Sequence, residues 1–326
     1  MAMSKVLVVG GSTFMSYHMS NHLNDSFDIT ATYTTEDDGW NISRPWASRV
    51  AVLDPPWTRV VIDMNSQVLK ACFSGLLSFG GYDWVILSPE VLSDERSMVA
   101  SCLVDALQTT LYPGSVVMLP HESANESASS DGNKLLAELF TIETNLLWTT
   151  CLKRVYILRI AMLQEQLLFA LPRSTKSLVL PVDLHFLNQV ATSDLVRSVR
   201  ALLAHTSSSF AQRTRCTSLL TGPSTCVRHT HLDIIIHGLP SQFCLDPDGS
   251  QRKRYLSWSR RVQNSTILPD WPANGEIALV REYLGYVGRS PTPAKPSSDW
   301  SEICPGEEMQ PLSVLFDVIH DHLSLL

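Results

Sequence analysis

Through residues 5–160 the chain alternates short apolar runs with segments of helical length and period. KVLVV at 5–9 reads as a strand, followed by a turn and a helix over 15–23. Residues 27–33 read as a second strand, with Ile29, Ala31 and Tyr33 alternating against polar neighbours. The series continues with a strand over 49–53 and a helix over 60–73, after which GGYDWVILSPEV gives a turn, a strand and its exit. A helix over 97–110, a strand over 114–119 behind Tyr112-Pro113, a helix over 134–147 and a strand over 155–160 complete it. Strands that alternate with helices in this way pair in parallel, because a parallel pair needs a crossover that a tight turn cannot supply. The fold class is therefore α/β, with a doubly wound parallel sheet.

After Ile160 the pattern loosens into prolines, serine-rich loops at 206–209 and 297–298, and the basic stretch QRKRYLSWSRR. We divide the chain into a sheet domain over 1–160 and a smaller α+β substrate lobe over 161–326, partly interleaved with the sheet. The lobe is expected over the C-terminal edge of the strands, where ligands bind at the reversal of strand order. No internal repeat is present.

Composition narrows the class further. With 44% hydrophobic and 17% charged residues, the chain has the balance of an ordinary globular protein. A formal charge of −7 argues against nucleic acid and anionic membrane as partners. No basic segment with an apolar core precedes KVLVV, and no run reaches the length of a membrane span, so we expect a cytoplasmic protein. The seven scattered cysteines, without a CxxC, are expected to be reduced, buried and inert. The sequons at Asn41, Asn125 and Asn264 carry little weight in that setting.

The turn after the first strand reads VLVVGGSTFMS. In a GxxGxxG dinucleotide turn the first glycine makes the bend, the second admits backbone close to a diphosphate, and the third lets helix pack on strand. Gly10 fills the first place, Gly11 is extra, Thr13 stands at the second and Ser16 at the third. A β-branched residue resists positive φ, yet the Ser12 and Thr13 hydroxyls can donate to phosphate oxygens, and the helix opening at Phe14 and Met15 offers free N–H groups. The stretch is either a working dinucleotide site or a strand–turn–helix that binds nothing. The second strand ends in TYTTEDDGW, where Thr34 and Thr35 suit a ribose; Glu36, Asp37 and Asp38 oppose a 2′-phosphate unless they turn outward. NADP(H) and NAD(H) both stay open on these residues.

Taken in order, several segments resemble the NmrA-like branch of the atypical short-chain dehydrogenases. VLVVGGSTFMS is similar to its GATGxxG turn, and GNKLLAELF, with Lys134 and Glu138, to its KxxxE helix. VYILRIAMLQEQLL resembles its ILRPxxFxxN strand and exit, LNQVATSDLVRSVRALL with LLTGP its D-v-A helix and following strand, and ALVREYLGYVGRSPTP its closing segment. The resemblance implies a Rossmann-type domain carrying a substrate lobe. Members oxidise or reduce small molecules with NADP(H) or sense the nucleotide without turnover. Fungal members act in alkaloid and polyketide pathways, some coupling redox to ring closure, including Diels–Alder closure. Oligomeric state is not implied.

The chain departs from that family at Thr13 and Ser16, at Ile160 in place of proline, and at Ser130, where YxxxK would place its tyrosine ahead of Lys134. Without that phenol, ketone reduction by the usual proton donor is disfavoured, and reduction of an imine or iminium, which needs little proton transfer at the reacting atom, suits the residues better. Lys134 is the candidate to hold the nicotinamide ribose or give a proton; the alternative is a surface lysine paired with Glu138. His121, in MLPHES after the fifth strand, is placed for acid–base work if its imidazole titrates near neutrality, with Glu122 and Ser123 beside it. Ser88 and Pro89, at the fourth strand's exit, are expected near the cofactor's middle. Met162, Gln166, Leu167 and Phe169 are expected to line an apolar substrate pocket or, failing that, plain core. The competing readings are a redox-inactive NAD(P) sensor and a cofactor-free cyclase or isomerase.

Other signals point nowhere specific. His229-x-His231 and His320-x-His322 lack matching acidic or thiol partners, so no metal is expected. There is no GxSxG elbow. The basic run from Arg252 to Arg261 reads as a solvated cover over the pocket, and Trp40, Trp46, Trp57, Trp84 and Trp148 as core or edge packing.

Overall fold

Seven strands pair side by side, every neighbouring pair parallel. The computed structural model describes residues 3–10, 14–33, 56–63, 65–88, 94–122, 134–160, 162–164, 186–187, 189–204, 213–222, 226–227 and 299–311. In chain order the elements are β1 (Lys5–Val9), α1 (Phe14–Leu23), β2 (Asp28–Tyr33), β3 (Thr58–Val61), α2 (Ser66–Phe79), β4 (Trp84–Leu87), α3 (Asp94–Thr109), β5 (Ser115–Met118), α4 (Lys134–Trp148) and β6 (Arg154–Ile160). Then come β7 (Met162–Leu163), β8 (Phe186–Leu187), β9 (Gln189–Val190), α5 (Thr192–Leu203), β10 (Arg215–Leu220), β11 (Cys226–Val227) and α6 (Trp300–Ile303).

The sheet runs β3-β2-β1-β4-β5-β6-β10, so chain order reverses between β1 and β4. Helices α2, α3 and α4 pack in a row on one face, while α1 and α5 pack together. This is the Rossmann-type arrangement. β10 and α5 come from the second half of the chain, so residues beyond 160 complete the main sheet and its helical cover. β7 pairs with β9, and β8 with β11, in two small two-stranded pieces.

With both faces covered, the strands are buried on both sides. Leu7, Val9, Val85, Leu87, Val116 and Met118 face the α2–α4 row, together with Leu69, Phe73, Leu103 and Leu139. The alternation seen in β2 does not mark a solvent face: Thr30 and Thr32, the polar neighbours of Ile29, Ala31 and Tyr33, are themselves buried.

The region before α2 corrects the sequence expectation. Residues 60 and 61 were read as helix, but the β-branched pair Val60-Val61 extends β2's sheet, Val61 pairing with Tyr33. The helix begins only at Ser66, where the Asn65 side chain caps it by accepting the Gln67 N–H at 3.1 Å. The strand expected over 49–53 lies outside the described residues. Against the burial expected of them, Cys72, Cys102, Cys151 and Cys216 are only half-buried, because they sit on the helices α2 and α3, the turn after α4 and the edge strand β10 rather than in the central core. Burial pushes Cys216 up to about 12 and Cys304 up to about 11, which keeps both protonated and unreactive at neutral pH.

At the end of α3 the Tyr112 N–H donates to Leu107 O at 3.1 Å and the Leu111 N–H to Gln108 O at 3.3 Å. This is a Schellman motif, and its left-handed position is held by Leu111, with φ of 51°. Glycine is usual there, since a Cβ in this conformation costs about 1–2 kcal/mol. The Leu111 side chain is 71% exposed and gains little from packing. Leu111→Gly is therefore expected to stabilise the fold by about 1 kcal/mol, checked by urea unfolding.

Candidate functional site

The C-terminal ends of β1, β4, β5 and β6 form one edge, and the crevice between β1 and β4 is the point where strand order reverses. Gly10 leaves β1 with φ of 89°, a left-handed conformation that side-chain-bearing residues avoid. Its N–H donates to Thr32 Oγ1 of β2 at 3.2 Å, which fixes the bend against the neighbouring strand. Thr32 was not among the expected site residues. Its signal was a hydroxyl in a strand buried on both faces.

α1 starts four residues later and packs tightly despite the missing glycine. Ser16 and Ser20 are fully buried, and Ser20 Oγ donates to Ser16 O at 2.9 Å. A serine thus fits where the third glycine of the turn would stand. Ser88, just past β4, is buried and its hydroxyl donates to Met15 Sδ at 3.2 Å. The structure therefore brings Gly10, Met15 and Ser88 together at the crevice. Phe14 opens α1, with its backbone alone described. Gly11, Ser12, Thr13, Thr34, Thr35 and Pro89 lie outside the described residues.

One strand further on, Leu119 N–H donates to Leu87 O at 2.9 Å, and β5 runs on past its sheet pairing. His121 bridges to Ile160, and the Glu122 N–H donates to Ile160 O at 2.9 Å, so both candidates are pinned beside the end of β6. His121 is half-buried as a residue, but its Nε2 is enclosed. Burial holds the imidazole down to about 3, against the expected titration near neutrality. Any part it takes in chemistry at pH 7 is as a neutral ring.

Lys134 is the first residue of α4, which places its backbone at the same edge. Its proposed pairing partner Glu138 accepts the Ser97 hydroxyl of α3 at 2.6 Å. Met162 lies in β7 directly after β6, and Gln166, Leu167 and Phe169 lie outside the described residues. The histidine pairs 229/231 and 320/322 and the 252–261 basic run do so too. No His/Cys/Asp/Glu group suited to a metal occurs among the described residues. No described helix is long and apolar enough to cross a membrane.

Two polar clusters behind the edge were not foreseen. Arg159 in β6 makes a two-pronged bond to Glu143 of α4, at 3.1 and 2.7 Å, and lies over the Phe140 ring. Asp194 of α5 is fully buried, accepts from Arg197 and takes the Gln310 N–H at 2.8 Å. Arg197 also reaches Glu307 and Glu308 O and lies over Trp300. Gln164 Nε2 donates to Gln310 O, so the segment 299–311 is tied both to α5 and to the exit of β6.

α1 carries a second buried imidazole. His18 stacks on His22 at 5.7 Å and meets Tyr17 edge-on. Burial first, then His22, holds His18 down to about 3; Arg200 of α5 and Asp25 face His22. The folded chain thus keeps His18 and His121 neutral while the unfolded chain protonates them below 6.5. Their contribution is fully present above pH 6.5 and is lost as pH falls towards 3. The unfolding midpoint is expected to drop on acidification through that window, and His18→Phe to make the drop shallower, read by thermal melts at constant ionic strength.

No protein-family model matches the chain, and no curated protein does. Solved structures do. Triphenylmethane reductase of Citrobacter sp., a complex with NADP(H), is 13% identical with a TM-score of 0.63 over 97% of this chain and 99% of its own. A nucleoside-diphosphate-sugar epimerase of Staphylococcus aureus is 14% identical, TM-score 0.61, covering 96% of this chain and 99% of that one. An NADPH-dependent quinone oxidoreductase of Escherichia coli, complexed with NADPH, is 13% identical, TM-score 0.58, over 97% and 99%. The chain therefore shares the Rossmann-type fold of these solved structures.

Proposed function

We propose that the chain is an NAD(P)(H)-dependent oxidoreductase of the NmrA-like kind, using NADP(H). The carrying observation is the left-handed Gly10, which ends β1 beside the reversal of strand order, four residues ahead of α1. In this reading the first N–H groups of α1 face the crevice, the arrangement that grips a diphosphate. The buried Ser16 supports the fit, because the helix closes on the strand without a third glycine. Two of the structural relatives are NADP(H) or NADPH complexes, which supports the choice of coenzyme.

In this reading Gly10, Gly11, Ser12, Thr13, Phe14 and Met15 hold the diphosphate, Thr34 and Thr35 the adenosine ribose, and Ser88 and Pro89 support the middle of the coenzyme. Lys134 orients the nicotinamide ribose and carries a proton to the substrate side. Neutral His121, with Glu122, exchanges hydrogen bonds there rather than acting as an imidazolium acid. The coenzyme, when bound, supplies or accepts a hydride. Met162, Gln166, Leu167 and Phe169 exclude water around the substrate.

The substrate we favour is a bulky apolar secondary metabolite bearing an imine, iminium or conjugated nitrogen heterocycle of the alkaloid type. Reduction there is linked to a cyclisation such as a Diels–Alder closure, with the pocket holding the reactive shape. The reason is Ser130, which leaves no phenol to protonate an alkoxide.

Titration of the full chain with NADPH and NADH, following nicotinamide fluorescence, tests the reading. Saturable binding at micromolar NADPH is expected, and no shift at millimolar coenzyme overturns it. Coenzyme oxidation on adding cyclic imines separates an enzyme from a sensor that binds without turnover.

A further inference from the structure

The helices of the α2–α4 row run antiparallel to the strands, so their C-termini meet the N-terminal edge of the sheet, opposite the coenzyme crevice. At or just past each of the three C-termini stands a large apolar residue that is mostly exposed. Phe79 closes α2 and is 91% exposed, Leu111 follows α3 at 71%, and Trp148 closes α4 at 78%. Trp148 departs from the packing role expected of it. Met3, leading into β1 at the same edge, is 49% exposed.

The three helix ends are neighbours, and hydrogen bonds lock them together. Tyr112 Oη donates to Tyr82 O at 2.9 Å, joining the ends of α3 and α2. Gln108 Nε2 donates to Thr149 Oγ1 at 3.1 Å, joining α3 to α4. The rim is therefore a fixed row rather than three loose side chains. Leu111 makes the case independently: a left-handed backbone normally left to glycine is spent on presenting leucine to solvent.

We propose that this rim is a self-association surface through which two copies of the chain form a two-fold dimer, leaving both coenzyme crevices open. Phe79, Leu111, Trp148 and Met3 together expose roughly 500 Å² of apolar surface, the greater part of the ~800 Å² per copy that a standard interface buries. An isologous interface must match itself, and the rim's exposed charges do so: Lys5 and Lys153 of one sign lie along it with Asp83 of the other, whose Oδ2 takes the Ser4 hydroxyl at 2.6 Å and the Lys5 N–H at 3.0 Å and so is fixed in place at the rim. Each copy's lysines meet the other's carboxylate around an aromatic centre, the layout of a dimer with an apolar core and a polar margin.

Sedimentation velocity on the full chain from about 1 to 100 µM tests this, that range bracketing the affinity of a modest interface. A concentration-dependent monomer–dimer equilibrium is expected, with Trp148→Glu weakening it at least ~tenfold by placing like charges at the centre. Leu111→Gly is expected to weaken the dimer while raising the unfolding midpoint, which separates lost contact from lost fold. Coenzyme titration is unchanged in both variants. A wild-type chain that stays monomeric, with the rim then left to a different occupant, overturns the proposal. So does a dimer whose constant is the same in both variants.

Discussion

Gly10→Val is expected to lose coenzyme affinity at least about 100-fold while the fold survives. The backbone at Gly10 has φ of 89°, where a β-branched residue meets its own carbonyl and resists the conformation. Forcing valine into that region costs about 1–2 kcal/mol of stability. The sheet can absorb this, because Val6, Leu7 and Val8 remain locked between β2 and β4. The chain relaxes by rotating the turn, which breaks the 3.2 Å bond from Gly10 N–H to Thr32 and re-aims the amides at the start of α1. Hydrogen bonds to a charged acceptor are worth about 1.5–3 kcal/mol each, so misdirecting one or two accounts for the loss. Nicotinamide fluorescence reads the affinity, and a thermal melt reads the stability. Gly10→Ala should fall between the two. Affinity unchanged in Gly10→Val would remove the turn from the binding site and with it the proposed function.

Much of the architecture was legible because burial on both faces leaves a simple mark. VLVV, WVIL, SVVM and VYIL are near-continuous apolar runs, and the helices between them are long enough to cross over. β3 was misplaced because an edge strand carries the weakest such mark: TRVV is short and largely exposed, and Ile62 just past it falls at helical spacing with Leu69 and Phe73. The Asn65 cap was the better boundary signal.

The site was legible where it rests on backbone. Gly10 declares its turn, and the small Ser16 declares the close packing behind it. His121 could be placed at its strand end but not assigned a titration, because nothing local in MLPHES encodes the enclosure of its ring. The Arg159–Glu143 and Asp194–Gln310 contacts were invisible for the same reason. They join residues 16 and 116 positions apart, and only the assembled sheet brings them together.

Arg159→Met should be the most destabilising single change among the described polar contacts, and its effect should depend on pH. Glu143 is 2% exposed, and its carboxylate rests on two hydrogen bonds from the Arg159 guanidinium. Burial pushes the Glu143 pKa up and the arginine pulls it back, with the net shift upward. An acid whose pKa is raised in the folded state stabilises most below its unfolded value and loses that contribution as pH rises through the folded value. Methionine keeps the apolar stem but removes the counter-charge, so the folded pKa climbs further and the loss above it deepens. At neutral pH, leaving a buried carboxylate unpaired costs about 3 kcal/mol, the lower end for broken buried pairs because Arg159 is partly open to solvent. Below the ordinary glutamate range the protonated group tolerates the site, and most of the penalty should vanish. Urea unfolding of wild type and Arg159→Met at pH 4 to 8 measures both limbs. A pH-independent difference would mean that arginine acts through packing on Phe140 alone, and Glu143→Gln in the methionine background should restore the lost stability only if the charge is the cause.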